Sequence, residues 1–187
     1  MSRKFLYFYI LLFVALFVFG GFFVGSREKS KINIGLAPTP TIAQVNANES
    51  LAKVTRIVDG DTIKVLIQDK EDTVRLIGID APETIDPRTS VQCFGKEASI
   101  KAKAVLDGKT VVLESDSTQG ERDKYGRLLR YVFLDGLNFN KLMVSEGYAH
   151  EYTYQSKPYK YTEEFINAQK QARESKKGLW ADGACNS

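Results

Sequence analysis

Histidine and cysteine are scarce in this chain of 187 residues, which contains one His and two Cys. Structural zinc sites take their ligands mainly from these two side chains, so the composition excludes a usual site of that kind. A basic excess is also missing from most of the chain. Residues 1–49 carry the net charge of +3, whereas residues 50–187 hold 21 charges of each sign. Diffuse electrostatic binding of a polyanion needs such an excess, so phosphate recognition would depend on a few placed arginines.

Internal repeats and low-complexity segments are absent as well. Hydrophobic residues make up 43% of the chain and charged residues 26%, which is typical of a globular protein and excludes a disordered or fibrous one. The length leaves room for one compact domain of ordinary size after the N-terminal segment.

Charge is missing entirely from residues 5–24, an apolar run that follows Arg3 and Lys4. A helix of this length spans about 30 Å, the thickness of the hydrocarbon core of a bilayer. A cleavable signal peptide has a shorter apolar stretch followed by small residues, and Val-Gly-Ser at 24–26 offers such residues. We therefore expect a retained transmembrane anchor, with a cleaved signal segment as the alternative.

The domain organisation follows from this change in composition. Residues 1–25 are the predicted anchor or signal segment. Residues 26–49 combine Gly, Pro and small polar residues without a sustained period, which predicts a flexible linker. Residues 50–187 are the predicted folded domain.

Short runs rich in Val, Ile and Thr alternate with helical patterns in this domain, and Asp59-Gly60 separates the first two runs as a hairpin turn would. Five strands are predicted, at 51–58, 62–67, 73–79, 110–114 and 128–134. Three helices are predicted from apolar residues at helical spacing, at 95–106, 138–146 and 162–175. This order indicates an α+β fold, a five-stranded β-barrel of the oligonucleotide-binding (OB) type with about three packed helices.

Acidic side chains follow neighbouring predicted strands. Asp59 and Asp61 lie in the first hairpin turn, and Asp80 and Glu83 follow the third strand, which Pro82 ends. Carboxylates at adjacent strand ends, together with backbone carbonyls and water, are suitable ligands for calcium. Taken alone, each turn is more often an ordinary solvated turn, and Asp59 before Gly60 is typical of a turn-forming residue.

Strict alternation in the third strand would determine which side chains lie on the same face of the sheet as Asp80. It puts Arg75, Ile77 and Ile79 on one face and Leu76, Gly78 and Asp80 on the other. Arg127, in a turn before the fifth strand, supplies a second fixed cation. Planar guanidinium groups bind phosphoryl oxygens through paired hydrogen bonds. A metal ion would help to stabilise the negative charge on the same oxygens.

Four motifs carry a family resemblance: V-D-G-D-T at 58–62, V-R-L-I-G-I-D-A-P-E-T at 74–84, F-G-K-E-A at 94–98 and D-K-Y-G-R at 123–127. In this order and spacing they resemble the thermonuclease (staphylococcal nuclease-like) family. The resemblance implies a barrel with three helices and calcium-dependent hydrolysis of single-stranded or frayed DNA and of RNA, yielding 3′-phosphates.

The resemblance also implies a metal site. Asp61 and Asp80 would bind calcium through their side chains and Ala81 through its backbone carbonyl. The best-known member of the family has Thr where this chain has Ala81. Since only the carbonyl is needed for the metal, we expect calcium binding to be retained.

Further roles are implied for residues that act on the substrate. Arg75 and Arg127 would hold the scissile phosphate, and Glu83 would activate or position the attacking water. The residues implied to contact the nucleotide or a terminal phosphate are Lys124, Tyr125 and Tyr152. His150, the single histidine, has no role in a site of this kind.

Cys93 and Cys185 are the two cysteines, and an even pair in an exported domain predicts a disulfide. The expected location is outside the cytoplasmic membrane, attached by residues 5–24, or secreted after signal cleavage. No obligate protein partner is indicated, so a monomer is expected.

Two other classes of function remain open. A catalytically silent OB-type module that binds nucleic acid or protein would have lost site residues, whereas all five charged residues of the implied site are present. A purely structural surface protein would give the acidic turns and the arginines no reason to coincide.

Overall fold

The structure, a computed structural model, describes residues 48–84 and 92–185. The predicted anchor and nearly all of the predicted linker lie outside the described residues. Within the described part of the chain, no helix has both the length and the apolar character needed to cross a membrane.

Five strands form a closed barrel, which confirms the predicted fold class. The sheet order is β3-β2-β1-β5-β6, and parallel pairing of β3 with β6 closes the barrel. The principal strands are β1 (Glu49–Ile57), β2 (Thr62–Ile67), β3 (Lys70–Leu76), β5 (Thr110–Glu114) and β6 (Leu128–Leu134). Three shorter strands are β4 (Ile79–Asp80), β7 (Leu137–Asn138) and β8 (His150–Glu151).

The barrel interior is filled by one face of each strand. In β1, Ala52 and Val54 are buried while their neighbours Leu51 and Lys53 are exposed, as expected for a strand with one face towards the core. Burial of such aliphatic side chains supplies most of the favourable free energy of folding. The fully buried members from the other strands are Ile63, Val65, Val74, Leu113 and Val132.

Three helices pack on the barrel, as predicted: α1 (Gly95–Leu106), α2 (Phe139–Ser145) and α3 (Thr162–Glu174). In α1, Ala98, Ala102 and Leu106 recur every four residues and are fully buried. Asn138 caps α2 by accepting a hydrogen bond of 3.0 Å from Lys141 N. Two single 3₁₀ turns, Tyr154–Ser156 and Gly178–Trp180, complete the described elements.

The third strand differs from its prediction, which placed it at residues 73–79 after a longer polar turn. β3 begins at Lys70 because Gln68 and Asp69, with φ of 47° and 64°, form a tight two-residue turn. It ends at Leu76, because Gly78 has a φ of +79°. A Cβ at Gly78 would lie 2.6 Å from the ring of Tyr159, so both the conformation and the space require glycine.

The predicted alternation from Arg75 to Asp80 is therefore wrong. Leu76, Ile77 and Ile79 are all buried, because the chain turns at Gly78 instead of continuing as one strand. Asp80 then lies in the separate strand β4, where it pairs with His150 of β8.

Candidate active site

The Asp61 carboxylate is buried and held by hydrogen bonds from two sides. Ala81 N donates to its Oδ2 at 2.7 Å, and Thr62 Oγ1 donates to its Oδ1 at 3.0 Å. Asp59 acts as a turn former, since its Oδ1 accepts a hydrogen bond of 2.9 Å from Asp61 N. A Cβ at Gly60 would lie 2.6 Å from Ala81 Cβ, so the glycine allows this turn to approach the chain that carries Asp80.

Arg75 brings Asp61 and Asp80 together. Its Nε lies 3.2 Å from Asp61 Oδ1, and its Nη2 lies 2.9 Å from Asp80 Oδ1. Its Nη1 donates to the carbonyl oxygens of Leu76 at 2.8 Å and Ile79 at 2.7 Å. One guanidinium group therefore contacts both carboxylates and also fixes the bend between β3 and β4.

The surroundings of Asp59 and Asp80 disfavour the ionised form of each of these two carboxyl groups. Burial raises the pKa of the Asp80 carboxyl, and the charges of Asp61 and Glu83 raise it further although Arg75 opposes them. Burial, followed by the charge of Asp61, raises the pKa of Asp59 to about 7. A bound cation would relieve this repulsion.

A hard cation fits the donor set of this cluster. Asp61 and Asp80 supply carboxylate oxygens, the ligand type that calcium prefers. Within residues 48–84 and 92–185, however, no group of three or more His, Cys, Asp or Glu side chains is placed to hold a metal ion. The site would therefore depend on two carboxylates, backbone carbonyls such as that of Ala81, and water.

Glu83 follows β4 and is half-buried. Its backbone N donates to Gln92 Oε1 at 2.9 Å, and its backbone O accepts from Gln92 N at 3.0 Å. A Cβ at Gly95, the first residue of α1, would lie 2.9 Å from Glu83 O. Helix α1 and Gln92 thus fix the backbone that carries the Glu83 side chain.

A disulfide joins Cys93, which directly follows Gln92, to Cys185, and their Cα atoms are 5.6 Å apart. It connects two segments separated by 92 residues in the chain. The C-terminal end of the domain is thereby attached beside Gln92, the residue that binds the Glu83 backbone.

The loop before β6 positions Arg127. Asp123 Oδ2 accepts a hydrogen bond of 2.7 Å from Arg127 Nε, and Asp123 Oδ1 accepts from the backbone N of both Tyr125 and Arg127. Arg127 Nη1 lies 3.4 Å from Thr62 Oγ1, next to Asp61. The second predicted arginine therefore lies beside the carboxylate cluster.

One groove of about 530 Å³ gathers most of the predicted site. Tyr125 is 71% exposed, with Lys124 Nζ 5.0 Å from its ring centroid. Tyr152 is 44% exposed. The predicted residues lining the groove are Arg75, Asp80, Lys124, Tyr125, Arg127 and Tyr152, whereas Asp61, Ala81 and Glu83 do not line it. Asp61 is linked to the groove through Arg75, and Ala81 through its contact with Asp61.

His150 packs edge-to-face against Trp180, with ring centroids 5.0 Å apart, and burial lowers its pKa although the charge of Asp80 opposes this. The guanidinium carbon of Arg173 lies 4.2 Å from the centroid of the Trp180 ring. This packing places Trp180 against β8 and α3.

Sequence reasoning gave no role to several residues that the structure places at the site. Asp123 lies within a quoted motif, and its spacing of four residues from Arg127 was an available signal. Tyr154 lines the groove, and its ring centroid is 6.3 Å from that of Tyr152. The spacing of two residues between these tyrosines was also an available signal. Gln92 binds Glu83 across nine residues and Arg122 binds Asp72 across 50, and no periodic pattern in the sequence indicated either contact.

Comparisons with known proteins agree with this geometry. A family model described as staphylococcal nuclease homologue matches residues 73–182, more than half of the chain. The thermonuclease of Staphylococcus hyicus is 46% identical over 137 residues, which cover 73% of this chain and 79% of that protein. Endonuclease YncB of Bacillus subtilis (strain 168) is 39% identical over 136 residues, 71% of this chain and 64% of that protein.

A further relative, the thermonuclease of Staphylococcus intermedius, is 41% identical over 127 residues, covering 68% of this chain and 74% of that protein. The family-model match includes every residue that lines the groove. The chain therefore belongs to the staphylococcal nuclease family.

Proposed function

We propose that this chain is a calcium-dependent nuclease that hydrolyses phosphodiester bonds of single-stranded or frayed DNA and of RNA and leaves 3′-phosphates. The observation that carries the proposal is the convergence of Arg75, Arg127 and Asp80 on one groove, with Asp61 held against Arg75. Two arginines placed beside carboxylates suit a reaction that develops negative charge on phosphoryl oxygens, because their guanidinium groups can stabilise that charge.

The two arginines stabilise that charge. Arg127 is oriented by Asp123 and Arg75 by two backbone carbonyls, so both guanidinium groups are held before substrate arrives. Such preorganisation is worth about 10²–10³ in turnover for each donor. Calcium bound by Asp61 and Asp80 would neutralise further charge on the phosphoryl group.

Glu83 accepts a proton from the attacking water or orients it. Its backbone is fixed by Gln92, which restricts where the carboxylate can reach. A positioned carboxylate contributes about 10²–10⁴ in rate as a general base.

The aromatic side chains favour unpaired bases. Tyr125, Tyr152 and Tyr154 are exposed and line the groove. Stacking of a base on an aromatic ring contributes about 1–3 kcal/mol whatever the sequence. Single strands offer free base faces whereas intact duplexes do not, so we expect preference for single-stranded or frayed substrates.

A test of the reaction uses the full chain, denatured DNA and RNA, and three conditions: added calcium, excess chelator, and chelator followed by excess calcium. We expect cleavage in the first and third conditions, with 3′-phosphates at the new ends. Full activity in excess chelator would contradict the calcium requirement. Binding without cleavage under every condition would favour the alternative function, a silent binding module.

For location, we propose an anchor at residues 5–24 that holds a monomeric domain outside the cytoplasmic membrane. A calcium site with two carboxylate side chains would have a Kd of about 10⁻⁴–10⁻³ M, typical of extracellular modules. Protease applied to intact cells should remove the domain, and a membrane-bound but protected domain would contradict the proposal. A mature N-terminus near Arg27 would instead show signal cleavage, and light scattering would test the monomer.

A further inference from the structure

Arg122 contacts both strand β3 and the backbone of the loop before β6. Its Nη1 lies 2.9 Å from Asp72 Oδ1 and its Nη2 lies 2.6 Å from Asp72 Oδ2, a bidentate ion pair between residues 50 positions apart. The same Nη1 donates to Gly126 O at 2.6 Å. Paired geometry of this kind fixes orientation as well as distance.

The two contacts lie next to the two arginines of the groove. Asp72 is on β3, three residues before Arg75, and Gly126 directly precedes Arg127. We propose that the Asp72–Arg122 ion pair positions Arg127 relative to Arg75. Asp72 and Arg122 are then positioning residues for the phosphodiester hydrolysis. The expected effect of the ion pair on catalysis rests on the proposed function, whereas its expected effect on the order of the loop does not.

The ion pair adds to backbone contacts that already close the loop, since Arg122 forms an antiparallel bridge with Leu128 and Leu129 N donates to Glu121 O at 3.1 Å. Pairing of β3 with β6 holds one arm, because Val74 pairs with Leu128, the residue after Arg127. Within the loop, Asp123 N donates to Arg127 O at 2.9 Å, which fixes its internal shape. Arg122 is in the other arm, and its bond to Asp72 ties that arm to β3 as well. Both ends of the segment carrying Lys124 and Arg127 are then held.

The charges also favour a positioning role over direct binding of substrate. Arg122 lines the groove, but its paired nitrogens face Asp72. The hydrogen bonds from Arg122 are the largest cause that lowers the pKa of the Asp72 carboxyl, so the pair stays ionised at neutral pH. A third phosphate-binding arginine would instead present those nitrogens to the substrate.

Three variants separate these roles: Arg122→Met, Asp72→Asn and the double variant. Misplacement of a catalytic group by about 1 Å can cost about 10²-fold, so we expect each single variant to lower kcat by about 10–100-fold. KM should change less. The double variant should be no slower than either single one, because both remove the same contact.

A matched control is available on the same hairpin. Lys64 and Glu71 form an exposed ion pair of 2.7 Å between β2 and β3, and Glu71 is adjacent to Asp72. Neither residue lines the groove. Lys64→Met and Glu71→Gln should leave kcat within about twofold of the wild type, since an exposed pair contributes about 0–1 kcal/mol and has no part in positioning.

Amide hydrogen exchange provides a readout that is independent of activity. Loss of the Asp72–Arg122 contact should speed exchange at the backbone amides of Asp123 and Gly126, whereas the control variants should not. If the wild-type chain fails to cleave nucleic acid, the proposed function fails, and the exchange experiment still decides whether the pair orders the loop.

Three results would overturn the inference. Wild-type kcat and unchanged exchange in Asp72→Asn would show that the ion pair has no positioning effect. A lower KM in Asp72→Asn together with a higher KM in Arg122→Met would make Arg122 a direct phosphate contact. Equal losses in the Lys64 and Glu71 variants would show a general effect of hairpin stability.

Discussion

Two groups of acidic side chains in this domain have opposite surroundings. The groove cluster consists of Asp59, Asp61 and Asp80, and the network cluster consists of Glu114 and Asp116. Both include buried carboxylates, since Asp61 is 6% exposed and Glu114 and Asp116 are each 7% exposed. Asp61 also accepts hydrogen bonds, from Ala81 N and Thr62 Oγ1, so the two groups differ in the carboxylates that lie beside it, Asp59 and Asp80.

In the network cluster, hydrogen-bond donors surround the oxygens. Asp116 Oδ2 accepts from Tyr131 OH at 2.7 Å and from Lys160 N at 2.8 Å, and Asp116 Oδ1 accepts from Thr118. Burial raises the pKa of Asp116, but these hydrogen bonds outweigh it and leave the pKa below its ordinary value. Glu114 accepts similarly from Lys160 Nζ and Tyr161 OH.

In the groove cluster, carboxylates face one another and the pKa values of Asp59 and Asp80 are raised. Arg75 is the cation that both Asp61 and Asp80 contact. The comparison teaches that a buried carboxylate stabilises the fold where donors surround it, whereas converging carboxylates cost stability. A strained charge arrangement of this kind in a cleft indicates a functional site.

The largest expected effect is on turnover. Glu83→Gln removes the proton acceptor and Arg127→Lys removes the planar bidentate donor, so each should lower kcat by about 10²–10³-fold. The free energy of unfolding should change little, because neither side chain fills the core. Single-turnover kinetics and urea denaturation would measure the two quantities. Near-normal turnover in a folded variant would remove that residue from the mechanism.

Removal of the disulfide would measure how much the covalent bond beside Gln92 stabilises the domain. Replacing both Cys93 and Cys185 by Ser should lower the free energy of unfolding by about 2–4 kcal/mol, because the bond closes a long loop. Urea denaturation with and without reductant measures this. An unchanged denaturation midpoint would contradict the predicted contribution, and free thiols in the purified wild-type chain would show that the bond is absent.

The network cluster should respond in stability and not in turnover. Asp116→Asn weakens several hydrogen bonds to a buried carboxylate, so we expect a loss of about 1–3 kcal/mol at pH 7. Because the folded-state pKa lies below the unfolded value of about 3.9, this contribution is present above that pH and is lost as the pH falls through the folded pKa. The difference from wild type should therefore shrink as the pH falls below the unfolded value towards the folded pKa. A difference that stays constant with pH would refute this ionic origin.

The smallest expected effect on stability is that of Asp80→Asn. Its ion pair with Arg75 is lost, but its side chain is 57% exposed and the repulsion from Asp61 is relieved. We expect the free energy of unfolding to change by no more than about 0.5 kcal/mol. A loss as large as that of Asp116→Asn would mean that the two clusters do not differ as described.

Much of the fold could be predicted from local pattern. The hairpin turn at Asp59-Gly60 and the helix at 95–106 have strong local signals, and both occur in the structure. The end of β3 could not be predicted, because its cause is the close approach of Tyr159 to Gly78, which are 81 residues apart. Periodicity contains no information about such a contact.

The residues of the site likewise include some that have a local sequence signal and others that do not. Motifs predicted Arg75 and Arg127, and the structure places both at one groove. The residues that orient them were harder to find. Asp123 is close to Arg127 in the chain, but Asp72 and Arg122 meet only because β3 and the loop before β6 become neighbours in the closed barrel.

Calorimetric titration with calcium at pH 7 would measure the proposed metal site in the wild-type chain, Asp80→Asn and Asp116→Asn. We expect binding to the wild type with a Kd of about 10⁻⁴–10⁻³ M, loss of binding in Asp80→Asn, and unchanged binding in Asp116→Asn. Absence of binding to the wild type, or unchanged binding in Asp80→Asn, would contradict the assignment of the groove cluster as a calcium site.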